Sequence, residues 1–186
     1  MKSLPQLALL LLMFCVAGCV APEASKRIQS RVTALEYNSV SSTYEKRPTF
    51  AEIQTTFGKK RLLQLTMNSY GSRTIWIAFH EDHISEYIAA IDKFEEWKNL
   101  ATQRNEAISK EIATITFNVG AKLVFAFHSA RFGQHFLQIT VGGSGLLGTT
   151  TIDSGMMFDS RDLESLKSMI KEFPNAKLEN LDAIYK

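Results

Sequence analysis

Leu62-Leu63-Gln64-Leu65-Thr66-Met67 and Phe136-Leu137-Gln138-Ile139-Thr140-Val141 are one six-residue pattern written twice, 74 positions apart. The Gln and Thr are identical and the other four positions are apolar in both copies. Apolar residues at every second position describe a strand with one face toward a core. The match extends outward. Upstream, Phe50-Ala51 and Phe57-Gly58 correspond to Phe125-Ala126 and Phe132-Gly133 at an offset of 75. Downstream, Phe79, Ile84, Tyr87, Ile91 and Phe94 correspond to Phe158, Leu163, Leu166, Ile170 and Phe173 at an offset of 79. The extra residues fall in Gly142 to Thr149, where a loop absorbs them. Self-similarity at this period points to two tandem pseudo-repeats.

The elements inside each copy follow from periodicity. Ile84, Tyr87, Ile88, Ile91, Phe94, Trp97 and Ala101 recur at three- and four-residue spacing, which predicts an amphipathic helix running toward Ser109. Glu81 and Asp82 sit where a helix start favours negative charge. A second helix is expected from Asp159, carrying Leu163, Leu166, Ile170 and Phe173 and stopping before Pro174. Strands are expected at Arg61–Met67, Thr74–Phe79, Ile112–Val119, Leu123–Phe127, Leu137–Val141 and Thr149–Phe158, with Thr49–Phe57 ambiguous. Asp153-Ser154-Gly155 is a turn or bulge signal inside the last strand. The expected class is α+β: antiparallel sheets with helices on one face, as two tandem ββββα units over 31–110 and 111–186.

Ahead of the repeats, Lys2 is followed by an apolar run from Leu7 to Val16. At about ten residues, that run is too short for a span that needs roughly 20. Together with the small residues Ala17 and Gly18 it reads as an export signal over 1–18. Val16-Ala17-Gly18-Cys19 resembles the lipobox of bacterial lipoproteins: an aliphatic residue, a small residue, Gly or Ala, then Cys. The resemblance implies a diacylglyceryl group on the Cys19 sulfur, cleavage after Gly18, and acylation of the new amine. It makes membrane lipid a partner through acylated Cys19. Two or three acyl chains anchor firmly, since each buried methylene contributes about 0.8 kcal/mol. By the same resemblance, Val20 after the cysteine, where Asp would favour the inner membrane, leans toward the outer membrane. Residues 19–30, with Pro22, Ala and Ser, are expected to be a tether. Its Lys26 and Arg27, with Arg31 just beyond, are either solvated or near anionic headgroups.

Composition narrows the chemistry. The only cysteines are Cys15, inside the signal, and Cys19, consumed by the anchor, which leaves no thiol for catalysis, a disulfide or a thiolate metal site. Without Lys2, twenty bases face nineteen acids, and a charge of +1 gives little steering toward nucleic acid. The ββββα order is similar in outline to Pur-type and Whirly-type single-stranded nucleic-acid modules, with Trp76 and Phe136 in position to face outward and Lys59-Lys60-Arg61 as a basic run. The likeness stops at element order, no binding residue is carried over, and nucleic acid is not an expected partner.

Candidate sites are few. His80-Glu81-Asp82-His83 has zinc-capable side chains but lacks the one-turn spacing of HExxH, and Asp159-Ser160-Arg161-Asp162 at the equivalent place looks like helix capping, so capping is expected at both. His128 and His135 flank a turn and are expected at the surface. Gly142-Gly143-Ser144-Gly145 lacks the Lys-Ser/Thr ending of a phosphate loop and leads into a strand, so a mobile hairpin is expected, its Leu146-Leu147 free to touch a partner or membrane. Ser144, Ser154 and Asp153 form no nucleophile elbow. No catalytic, metal or cofactor residue is assigned. The expected function is a non-catalytic binding or assembly role in the envelope with a protein partner. The alternative is a carrier sheltering an apolar ligand between sheet and helices, with hydrolase a third class.

Overall fold

The computed structural model describes residues 24–178 apart from 57, 71–72, 119–120, 132 and 145–149. The signal and Cys19, Gly71, Val119, Phe132 and the Leu146-Leu147 tip therefore lie outside the described residues.

Ten strands and two helices are described, in the order β1 (Ala24–Ile28), β2 (Ala34–Asn38), β3 (Thr43–Arg47), β4 (Thr49–Thr55), β5 (Arg61–Asn68), β6 (Thr74–His80), α1 (Ile84–Arg104), β7 (Ser109–Asn118), β8 (Ala121–Arg131), β9 (Gln134–Ser144), β10 (Thr150–Phe158) and α2 (Ser160–Glu172). They form two antiparallel sheets, one ordered β1-β4-β5-β6 and the other β3-β2-β10-β9-β8-β7. The class is α+β, with both helices packed against sheets.

The strands are not shared out four to each expected ββββα unit, since the sheets hold four and six. The first half holds six strands, and its β2–β3 hairpin crosses to the second sheet, where Leu35 on β2 stands opposite Met157 on β10. The tether reading of 19–30 is also corrected in part, because Ala24–Ile28 forms the edge strand β1, paired with β4 from Ala24↔Thr55 to Ile28↔Ala51. Its sequence, ASKRI, has one large apolar residue, and an edge strand needs little more. Thr49–Thr55 resolves as a strand.

The two copies of the opening pattern do the same work. Leu63 and Leu65 on β5, and Leu137 and Ile139 on β9, are fully buried. Their neighbours show where the offset of 75 slips. Leu65 pairs with Ala51, whereas Ile139 pairs with Phe125, so Phe125 corresponds to Ala51 and not to Phe50. One residue of slip reverses the face. Phe125 is buried in the core and Phe50 is 57% exposed. The turns that follow β4 and β8 each need a residue with positive φ, supplied by Gly58 (96°) and Gly133 (75°).

Between sheets and helices lies one aromatic core. Tyr87 on α1 sits edge-on to Phe79 (5.2 Å) and stacks on Phe125 (5.9 Å), and Phe94 meets Phe127 at 5.3 Å. From α2, Leu163, Leu166, Met169 and Ile170 close the same cluster. α1 ends earlier than its periodicity suggests, because Asn105 takes a left-handed conformation (φ 53°) and turns its N–H back to the carbonyls of Ala101 and Thr102. α2 is capped by Asp159, whose carboxylate accepts the Arg161 N–H at 2.9 Å.

One charge joins the helices. Lys167 on α2, 8% exposed, places its ammonium 3.2 Å from both Asp92 and Glu95 of α1 and 2.5 Å from Glu164. Burial works against the ammonium, but the three carboxylates outweigh it and hold its pKa above the ordinary lysine value. Lys93–Glu96, an exposed pair on α1, provides the contrast. Lys167→Ala is expected to lower the unfolding free energy by roughly 1–3 kcal/mol, and Lys93→Ala by less than about 1 kcal/mol. Urea denaturation reads both, and equal losses would contradict the assigned role of Lys167.

Candidate binding groove

The hairpin that crosses over builds the most distinctive site. β2 and β3 curl above the outer face of β8 and β9, leaving a groove of about 800 Å³ closed at one end by the start of α2. A site of this size is in the range that takes a small ligand or a peptide side chain. Alternation explains its wall. Leu35, Tyr37, Tyr44 and Lys46 fall on one face of the hairpin, in the cross-strand pairs Leu35↔Lys46 and Tyr37↔Tyr44. On β8 and β9 the outward residues His128 and Phe136 are likewise paired.

Tyr44 is the keystone. Its ring lies 4.6 Å from Phe136 and 5.2 Å from Tyr37. Its hydroxyl is 2.9 Å from Nε2 of His128, whose Nδ1 is 2.9 Å from Oγ of Ser109. A neutral imidazole holds one proton, so the ring donates one of these bonds and accepts the other. Desolvation pushes the His128 pKa below 6.5. The Tyr44 hydroxyl is raised above 10.0, first by burial and then by nearby Tyr37. The groove therefore presents neutral aromatic and imidazole groups near pH 7. Charge enters at the rim, from exposed Lys46 and from Arg161, which is paired with Asp159 through bonds from both its backbone and its guanidinium. Burial alone would raise the Asp159 carboxyl, but the Arg161 bonds outweigh it and hold its pKa low.

The two histidines expected at the surface are placed otherwise. His128 is half-buried within this network, and His135 is 5% exposed. His135 shares the inward parity of Leu137 and Ile139, which was the available signal. Its Nδ1 meets Ser129 Oγ at 2.8 Å, its ring lies 5.1 Å from Phe127, and its Nε2 is buried without a partner among the described residues. Desolvation, then the charge of Lys98, lowers its pKa. Phe136 does face outward, as expected, but Tyr44 covers it to 9% exposure, while Trp76 stays 46% exposed.

His80-Glu81-Asp82-His83 does not cap. Neither His80 nor His83 makes a capping side-chain bond, and Glu81–His83 form a 3-10 turn before α1. Asp82 pairs with Lys60, His83 Nδ1 meets Glu86 at 2.7 Å, and His80 stacks on Phe117 at 4.4 Å. His80, Asp82 and His83 thus each have a separate partner. Gly142 and Gly143 continue β9 and pair with Ile152 and Thr151, and the expected bulge appears as a register shift between Ile152 and Ser154.

The sequence pattern did not single out Tyr37, Tyr44 or Lys46, and placed Arg161 only in a helix-capping stretch. The signal was two alternating tyrosines flanking Asn38–Thr43, a polar turn in which Ser42 takes a positive φ of 54°. Both hydrogen bonds of the His128 ring run to hydroxyls, those of Tyr44 and Ser109.

No family model matches the chain, and no curated protein matches it. Among solved structures it is similar to SsgB of Streptomyces coelicolor, mutations in which correlate to longitudinal cell division during sporulation. The match has 13% identity and a TM-score of 0.33, and covers 83% of this chain and 91% of that one. A likeness of that size supports no inference about function.

Three histidines, His80, His128 and His135, have folded pKa values lowered chiefly by burial from an ordinary value of 6.5. A base held neutral stabilises the fold fully above its unfolded pKa, and that contribution is lost as pH falls through 6.5 toward the lowered folded value. The melting temperature is thus expected to fall between about pH 7 and about pH 5, with a shallower slope in His128→Asn. Thermal scans across that window test this, and a flat or inverted profile would contradict it.

Proposed function

We propose that the protein is a lipid-anchored component of the cell envelope with a non-catalytic binding or assembly role, and that the groove beneath Tyr44 is its recognition surface. The observation that carries this is the groove itself, where an aromatic wall of Tyr37, Tyr44 and Phe136 is edged by His128, Lys46 and Arg161. Aromatic rings beside a few cations form the type of surface that contributes most of the energy in protein recognition. The occupant is an envelope protein. The anchor is Cys19, at the outer membrane in preference to the inner, and nucleic acid is not a partner.

The carrier reading has less support. Among the described residues the space between sheets and helices is filled by Phe79, Tyr87, Phe94, Phe125, Phe127 and Phe158, each essentially unexposed. The described cavities open at the surface, where an apolar ligand would not be sheltered.

Two experiments test this proposal separately. Cys19→Ser is expected to release the protein from the membrane fraction and abolish lipid labelling, and continued fractionation with membranes would overturn the anchor. Affinity capture from solubilised membranes, lipid intact, is expected to recover a partner that is lost roughly tenfold with Tyr37→Ser plus Lys46→Glu, the effect of about 1.4 kcal/mol. Equal recovery by this variant would remove the groove from recognition.

A further inference from the structure

The outer face of the four-stranded sheet is open at the end away from Ala24, whereas Leu62 and Ala78 on the same face nearer Ala24 are covered. Ala51, Leu65 and Ile77 point inward and are buried, so the adjoining residues Phe50, Thr66 and Trp76 point outward. Ladder pairing sets those three side by side, as Phe50↔Thr66 and Thr66↔Trp76. Phe50 is 57% exposed and Trp76 46% exposed. The next outward row begins with Arg27 opposite Glu52, and the one beyond with Ser25 opposite Gln54.

Where the chain enters this sheet decides what it faces. β1 opens at Ala24, five residues after Cys19, and five extended residues reach at most about 17 Å. The Phe50 row lies five strand positions from the Ala24 row, again about 17 Å. If the preceding reading holds and Cys19 carries lipid, the Ala24 end of this sheet is held within one tether length of the bilayer and the Phe50 row within two. A Trp and a Phe on the side of a sheet placed there match the water–membrane interface, where an aromatic body enters the acyl boundary and the indole N–H stays hydrated. Arg27 on the same face suits anionic headgroups.

We propose that the outer face of this sheet, through Phe50 and Trp76, rests on the bilayer to which Cys19 is attached. This proposal depends on the anchored reading. Attachment then has two points, the acyl chains and the aromatic row, and it fixes the orientation of the folded domain on the membrane.

The two tryptophans make the contact measurable, because Trp97 on α1 is half-buried, 6.2 Å from Phe127. The full-length protein, its lipid confirmed by intact mass, is reconstituted in phosphatidylethanolamine and phosphatidylglycerol vesicles with and without lipid brominated near the headgroup. Bromine is expected to quench emission to about half, one tryptophan of two being reached. Trp76→Phe, checked by circular dichroism, is expected to stay attached and lose the quenching. Lipidated protein whose emission is not quenched overturns the proposal and leaves the anchor standing. A Cys19 without lipid overturns both. Trp76 shielded from iodide but not reached by bromine, in protein that sediments as a dimer, assigns the row to a second copy and also overturns it.

Discussion

The pairing of β2 with β10 is the constraint on which the binding surface depends. It joins an amino-terminal hairpin to a carboxy-terminal strand at Leu35 and Met157, and makes two sheets interdependent. The crossing is held by polar contacts around it. The Ala34 N–H donates to Thr49 Oγ1 at 2.8 Å, the Thr33 N–H to Asp162 at 3.2 Å, and Arg31 pairs with Glu172 at 2.7 Å. These bonds place the hairpin, and the hairpin places Tyr37, Tyr44 and Lys46 above His128 and Phe136. Without the crossing, Phe136 would be an exposed ring on an open sheet.

Much of the architecture was legible because it rests on periodicity. The paired patterns at Leu62 and Phe136 gave β5 and β9, and the helical stripes gave both helices, since a buried face leaves a regular apolar spacing. What could not be read rests on other physics. β1 and β3 are polar edge strands whose stability comes from the ladder and not from burial, so their composition resembles a loop. The sheet to which the β2–β3 hairpin belongs is a long-range choice with no local signature. Phe50 aligned with Phe125 because aromatic residues attract a match, but pairing register placed them on opposite faces. His135 was misplaced although its parity with Leu137 carried the information, and the helix-start cluster at His80 was read as capping by analogy with Asp159, which does cap.

The charges divide along similar lines. Lys167 is buried and bound by carboxylates from both helices, so it belongs to the fold. Lys46 and Arg161 sit at the groove rim, where charge adds selectivity and encounter rate more than affinity. On the proposed function, a lipid anchor close to one sheet and a groove on the other give attachment and recognition to separate surfaces of one small domain.

The most direct test of that account is photo-crosslinking in living cells. A benzophenone amino acid placed at Tyr37, in the groove, is compared with one at Leu100, equally exposed on α1. The account predicts a discrete envelope-protein adduct from position 37 and none from position 100. An adduct from position 100 with none from position 37 would contradict it.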